Sequence, residues 1–86
     1  MFARVREQPD LAFARLLKRL REERRITQEQ LAFDAGITVS ALSRIERGLT
    51  SPGWATVRVI ATALGLSIAE LAAAVEGVGR PRESER

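Results

Sequence analysis

The sequence contains no cysteine and no histidine among its 86 residues. Without cysteine, the chain has no disulfide and no thiolate for catalysis or metal binding. Without histidine, it lacks the commonest metal ligand and the usual general base near neutral pH. An enzyme would have to depend on carboxylates and on Lys18, the single lysine. These absences disfavour an enzyme, and we expect no metal and no cofactor.

Long apolar runs are also absent. No stretch approaches the roughly 18 residues that a membrane span needs, although 45% of the residues are hydrophobic. The amino terminus carries Arg4 and Arg6 without an apolar segment behind them, unlike a secretory signal. We therefore expect one small cytoplasmic domain over residues 10–76, between a flexible arm at 1–9 and a disordered tail at 77–86.

The chain is mildly basic, and almost all of its basic residues are arginine. The net charge is +3, the isoelectric point is about 11.0, and Lys18 is the one exception among 14 basic residues. A guanidinium group suits bidentate contacts to phosphate and guanine. A biased nucleotide composition would also enrich arginine, and we regard it as the larger cause because arginines occur in the tail as well. The composition therefore permits a nucleic-acid partner without identifying one.

The stretch from Thr27 to Glu46 carries the most informative pattern. Thr27 is suited to cap a helix, and Gln30, three residues on, completes a capping box. Gly36 readily adopts the left-handed conformation that ends a helix. Thr38 then caps another helix. The stretch predicts two short helices joined by a tight turn.

The second of these helices has two different faces. Leu42, Ile45 and Leu49 form an apolar stripe with helical spacing. The opposite face carries small hydroxyls and arginines and no carboxylate: Ser40, Ser43, Arg44 and Arg47. Such a face suits phosphates and base edges, although an ordinary solvated helix face would show the same four residues.

Five motifs occur in order across roughly residues 13 to 72: RxxR, TQExLAxxxGI, TxSxLSxIERG, a proline, and a closing ALGLS. This ordered set resembles the Cro/repressor-like (xenobiotic-response-element type) helix-turn-helix family of DNA-binding domains. The resemblance implies an all-α, five-helix, lambda-repressor-like domain whose helix 39–47 enters the major groove. It also implies a sequence-specific transcriptional regulator that binds double-stranded DNA.

The resemblance assigns base reading to Val39, Ser40 and Arg44, with Ala41 close to the groove floor. Arg44 is the candidate for a bidentate contact to guanine. Val39 departs from the polar residues often found at its position, and it either contacts a thymine methyl group or packs. Gln28 is expected to bind a phosphate together with the free backbone N–H groups at the start of its helix.

Further contacts to the DNA backbone are expected around this helix. Ser43 and Arg47 face outward nearer the backbone, and the loop at 50–53 offers hydroxyl and N–H groups before another helix. A plain structural turn would look the same. The remaining expected DNA contacts are Thr38, Ser43, Arg47, Thr50 and Ser51.

An ion pair is expected between Arg21 and Glu46. The first helix should run from Asp10 to about Arg24, and Arg21 continues its apolar stripe four residues beyond Leu17. Glu46 borders the apolar stripe of the third helix. Two opposite charges at the inward edges of two helices predict a partly buried ion pair. The resemblance implies that this pair braces the first helix against helix 39–47.

The last two helices should supply core and dimer contacts. The inward side of the fourth helix is expected to hold Trp54, Val57, Ile60, Ala61 and Leu64. The fifth helix, with a capping box at Ser67 and Glu70, should end near Val75 and is apolar nearly all round. Because a chain this short has little core left to bury such a helix, we expect a homodimer. The expected dimer contacts are Ile68, Leu71, Ala72 and Val75.

A protein-interaction module, such as an antitoxin with DNA binding secondary, is the alternative prediction. Phe33, an aromatic residue beside the buried set of the second helix, would serve a protein partner, although packing at the helix edge is the simpler expectation. Small proteins of the family that the sequence resembles include phage-type repressors, restriction-modification controller proteins and antitoxins. The sequence does not decide among them.

Overall fold

A computed structural model describes residues 10–78. The expected arm at 1–9 and residues 79–86 of the expected tail lie outside the described residues. Within 10–78 the chain forms helices and no strands, which confirms the expected all-α, five-helix class. The helices are α1 (Leu11–Glu23), α2 (Gln28–Ala35), α3 (Val39–Glu46), α4 (Trp54–Leu64) and α5 (Ile68–Val78).

Short polar side chains begin the helices at the expected positions. The side-chain oxygens of Asp10, Thr27 and Thr38 each accept the backbone N–H three residues on, at 3.0–3.1 Å. Ser67 and Glu70 form a complete capping box, with reciprocal hydrogen bonds of 2.9 and 3.0 Å. These bonds satisfy N–H groups that have no partner within the helix. The predicted helix starts are confirmed.

The turn between α2 and α3 depends on Gly36. Its φ of 76° lies in the left-handed region. This conformation lets the Ile37 N–H donate to the Ala32 carbonyl at 3.0 Å and the Gly36 N–H donate to the Phe33 carbonyl at 3.2 Å. The chain thereby leaves α2 abruptly and starts α3 after three residues.

The core joins all five helices. Its largest fully buried side chains are Leu16, Leu17, Leu31, Leu42 and Ile60. Helix α2 packs against α3 and α4, while α1 packs against α3 and α5. Each fully buried leucine or isoleucine contributes about 1.5–3 kcal/mol through removal from water. This packing fixes the buried side of α3 and leaves its opposite side in solvent.

Two residues expected in the apolar interior are exposed instead. Trp54 is 64% exposed and Leu49 is 50% exposed. Trp54 is the first residue of α4, so it lies at the end of the helical stripe, where the helix extends past the core formed by Ile60, Ala61 and Leu64. Leu49 follows α3 in the connecting loop. The expectation that both side chains are internal is wrong.

Helix α5 is longer than expected, and one of its residues is buried in the core. It continues through Gly77 to Val78, so the predicted end near Val75 and the start of the tail at residue 77 are wrong. Leu71 is only 3% exposed and belongs to the core. Within residues 10–78, no single helix is long and apolar enough to cross a membrane, although α4 and α5 together reach that length and composition across a 94° bend.

Candidate nucleic-acid interface

Helix α3 is buried on one side and exposed on the other. Its buried residues are Leu42, Ile45 and Glu46. The expected DNA contacts Ser40, Arg44 and Arg47 are exposed, Val39 is 37% exposed, and Ala41 and Ser43 are half-buried. The residues assigned to base reading therefore lie on the accessible side of the helix.

An open depression of about 460 Å³ runs beside α3. It brings together five of the residues expected to contact DNA: Thr38, Ser40, Ala41, Arg44 and Thr50. Val39 and Ser43 in α3 and Arg47 at its C-cap do not line this depression. Ser51 lines a separate groove beside Trp54. The loop and α3 thus form one surface around Arg44.

Thr56 also lines the depression, and the sequence analysis did not assign it. It lies in the first turn of α4, and its side chain is half-buried beside Thr50 and Pro52 in the same surface. A hydroxyl residue just after the Pro-Gly turn was the available signal.

The accessible face of α3 carries positive charge only. Arg44 and Arg47 are exposed, whereas Glu46, the one carboxylate of α3, is buried. Arg44 also lies in the last turn of the helix, where a cation is favourable to the helix dipole. The geometry suits an anionic partner.

The predicted ion pair between Arg21 and Glu46 is confirmed. Arg21 Nε donates to Glu46 Oε2 at 2.8 Å, and Arg21 Nη2 donates to Glu46 Oε1 at 3.1 Å. A third donor, Arg21 Nη1, binds the carbonyl oxygen of Ile26 at 2.9 Å. The hydrogen bond to Glu46 raises the pKa of Arg21, although burial of the guanidinium opposes that rise. The pair holds α1, the α1–α2 loop and the end of α3 together.

Gln28 has a contact that the sequence analysis missed. Its Nε2 donates to Glu46 Oε1 at 2.9 Å. The expected role was a phosphate contact at the start of α2, and this amide is instead already bonded to the ion pair by one of its N–H groups. The two residues are 18 positions apart on different helices, so no local spacing could have indicated the bond.

A second surface is an apolar groove on the Trp54 side of the domain. Its volume is about 250 Å³, and α1, the α3–α4 loop, α4 and α5 all contribute to its lining. The lining includes all four residues expected at a dimer contact: Ile68, Leu71, Ala72 and Val75. Leu71 itself is almost fully buried, so its assignment as a dimer contact is corrected to a core residue. The exposed Trp54 lines the same groove.

Phe33 stands apart from both surfaces. It lies on the outer side of α2 and is 84% exposed. The expectation that it packs at the helix edge is wrong, because the buried side of α2 is already formed by Leu31, Ala32 and Ala35.

Comparison with known proteins identifies regulators with similar sequences. The chain is 38% identical over 55 residues to the immunity repressor protein of Bacillus phage phi105, a match that covers 64% of this chain. It spans only 38%, 49% and 40% of the full length of three curated regulators of this kind.

Solved structures with the same fold include two controller proteins. The restriction-modification controller protein C.AhdI from Aeromonas hydrophila has a TM-score of 0.68 and 33% identity, covering 71% of this chain and 92% of that one. The controller protein C.Esp1396I, bound to a 25-base-pair operator site, has a TM-score of 0.75 over 79% of this chain and 90% of that one. At 22% identity, the second similarity concerns the fold alone.

The sequence profile of the helix-turn-helix domain family matches residues 12–74. That match covers the capped helix pair, the α1–α3 ion pair and the first half of α5. By this match and by its five-helix fold, the chain belongs to the helix-turn-helix domain family.

Proposed function

We propose that this chain is a sequence-specific, double-stranded DNA-binding transcriptional regulator with α3 in the major groove. The observation that carries the proposal is the accessible face of α3, where Ser40 and Arg44 line an open surface and the carboxylate of Glu46 is turned inward. The similarity to a phage immunity repressor and to a controller protein supports it.

Specificity would come from base-edge contacts by α3. The Arg44 guanidinium has the fork of donors that matches the two acceptors of guanine. Val39, at the first turn of α3, presents methyl groups suited to a thymine methyl group. Ser40 and Ala41 are small enough to let the helix approach the bases closely. These contacts distinguish sequences, whereas phosphate contacts do not.

Affinity would come from groups that contact the phosphates around α3. Arg47 is an exposed cation at the C-cap of α3, and Ser43 lies one turn before it. The remaining phosphate donors in the proposal are Gln28, Thr38, Thr50 and Ser51. Neutralising phosphates releases counterions, so binding should weaken steeply with salt.

The proposed active form is a homodimer that acts in the cytoplasm on an inverted repeat. The dimer surface is the apolar groove beside Trp54, because an exposed tryptophan and the residues Ile68, Ala72 and Val75 lie on it together. A second copy related by a two-fold axis would cover this face in both subunits. Such symmetry requires two inverted half-sites, and we expect their centres to lie about one helical turn apart.

Selection from a random duplex library at near-physiological salt tests this function. Enrichment of an inverted repeat with half-site centres about 34–36 Å apart is the expected result. Retention of DNA without any enriched sequence would refute sequence-specific reading and leave charge-driven binding alone. The variant Arg44→Ala in parallel controls for sequence preference that arises elsewhere in the protein.

A protein-interaction module is the second candidate, and the exposure of Phe33 favours it. An aromatic side chain held in solvent on a short helix is a suitable anchor for a protein partner. If this function dominates, Phe33→Ser should abolish co-purification of a partner protein while DNA affinity stays unchanged. If the wild type and Phe33→Ser co-purify the same amount of partner protein, this candidate is excluded.

A further inference from the structure

The carboxylate of Glu46 contacts more than its ion-pair partner. Its Oε1 accepts two hydrogen bonds, from Arg21 Nη2 at 3.1 Å and from Gln28 Nε2 at 2.9 Å. Its Oε2 accepts from Arg21 Nε at 2.8 Å. One buried group at the end of α3 therefore connects α1 with the first residue of α2.

This contact determines which way the Gln28 amide faces. An ionised carboxylate only accepts hydrogen bonds, so the amide must turn its nitrogen, and not its oxygen, toward Glu46. A side-chain amide nitrogen has two N–H groups. One is used by Glu46, and the other remains on the same nitrogen at the start of α2.

The start of α2 is where a phosphate would approach. The first N–H groups of a helix lack partners within the helix and favour an anion. A glutamine oxygen turned toward the phosphate would repel it, whereas a second N–H would donate to it. A glutamine free in solvent would also lose conformational freedom on binding, a loss that the bonded side chain has already undergone.

We infer that Glu46 is a positioning residue for DNA binding: it holds the Gln28 amide so that the nitrogen serves as a donor to a phosphate. The inference rests on the proposed phosphate contact of Gln28. Because Glu46 is also the last residue of α3, the phosphate contact and the base-reading helix share one anchor. The ion pair thereby connects stability with DNA affinity.

A comparison of two backgrounds tests the inference. The first background is the wild type, and the second is Arg21→Met/Glu46→Leu, which removes the carboxylate without leaving a buried charge. Gln28→Ala is introduced into each background, which gives four proteins. Their affinity for the selected operator is measured under conditions in which circular dichroism shows that all four are folded. Gln30→Ala is the matched control, because Gln30 is an exposed glutamine in the same helical turn.

In the wild type, Gln28→Ala should weaken binding at least about tenfold, the effect of losing a hydrogen bond to a charged group. In the second background, the same substitution should weaken it less than about threefold, because the amide is no longer held. An equal loss in both backgrounds would show that Glu46 does not position Gln28. No loss in the wild type would refute the phosphate contact itself and the inference with it. Gln30→Ala should leave affinity unchanged in both.

Side-chain dynamics provide a test on the unmodified protein. The ¹⁵N–¹H nuclear Overhauser effect of the Gln28 side-chain amide should be close to backbone values, and that of Gln30 should be much lower. Equal mobility of the two amides would overturn the inference even if the substituted ion-pair background fails to fold.

Discussion

Arg21 and Glu46 are 25 positions apart, and two hydrogen bonds of 2.8 and 3.1 Å join them in a bidentate pair between α1 and the end of α3. The side chains are only 12% and 2% exposed, respectively. Exposed ion pairs contribute about 0–1 kcal/mol, but removal of one member of a buried pair leaves an uncompensated charge. The pair therefore connects α1 with α3, and removal of one member should lower the free energy of unfolding substantially.

The variant Glu46→Ala tests that cost. The free energy of unfolding should fall by about 3–5 kcal/mol, because Arg21 would remain buried without a carboxylate. Replacement of both residues, as Arg21→Met/Glu46→Leu, should be far less destabilising since no charge is then left unpaired. Urea unfolding followed by circular dichroism measures both. An unchanged urea midpoint for Glu46→Ala would contradict this prediction and would mean that water solvates the Arg21 guanidinium in place of the carboxylate.

Arg44→Ala and Arg47→Ala should affect DNA binding in different ways. Arg44 lines the surface beside α3, so its loss should relax base preference at one position of each half-site, by about 1–3 kcal/mol of discrimination. Arg47 lies outside that surface, and its loss should weaken binding to all sequences and reduce the salt slope by about 0.9 per subunit. Competition titrations at several salt concentrations separate the two effects. A uniform loss for Arg44→Ala would contradict its base-reading role.

Trp54→Ser should separate the subunits of the proposed dimer. Trp54 is largely exposed, so the substitution should leave the monomer folded. A symmetric dimer loses one aromatic anchor of about 2 kcal/mol from each subunit, which weakens the dimer roughly 1,000-fold. Sedimentation velocity over a concentration series measures the change. Phe33→Ser is the matched control, because Phe33 is also an exposed aromatic residue but lies away from the groove. Identical dimerisation of both variants would exclude the groove as the subunit contact.

Gly48→Ala and Gly36→Ala test the cost of a side chain at a left-handed backbone position, one with a close neighbour and one without. Both have positive φ, 74° and 76°, where an L-residue costs about 1–2 kcal/mol. A Cβ on Gly48 would lie 2.6 Å from Leu11 Cδ2, whereas a Cβ on Gly36 would have no neighbour within 4 Å. Because Leu11 is half-exposed and can rotate away, the two alanine substitutions should destabilise the protein by similar amounts. A much larger loss for Gly48→Ala, relieved by Leu11→Ala, would show that Leu11 is held in place.

The sequence by itself determined where helices begin and how α2 ends. Thr27 and Thr38 accept hydrogen bonds from N–H groups three residues away, and Gly36 adopts the left-handed conformation at the end of α2. These interactions are local, so the residue order specifies them directly. The Arg21 and Glu46 pair was also predictable, because charges on the inward edges of two apolar stripes require a partner when the stripes pack together.

Only the tertiary structure decided which apolar residues are covered. Trp54 and Leu71 both lie on apolar helical stripes, yet Trp54 is exposed at the start of α4, and Leu71 is buried where α5 meets the core. The bond between Gln28 and Glu46 likewise depends on how α2 meets α3 in space. Helical periodicity identifies the face that a residue lies on, but burial and distant hydrogen bonds depend on how far the neighbouring helices extend.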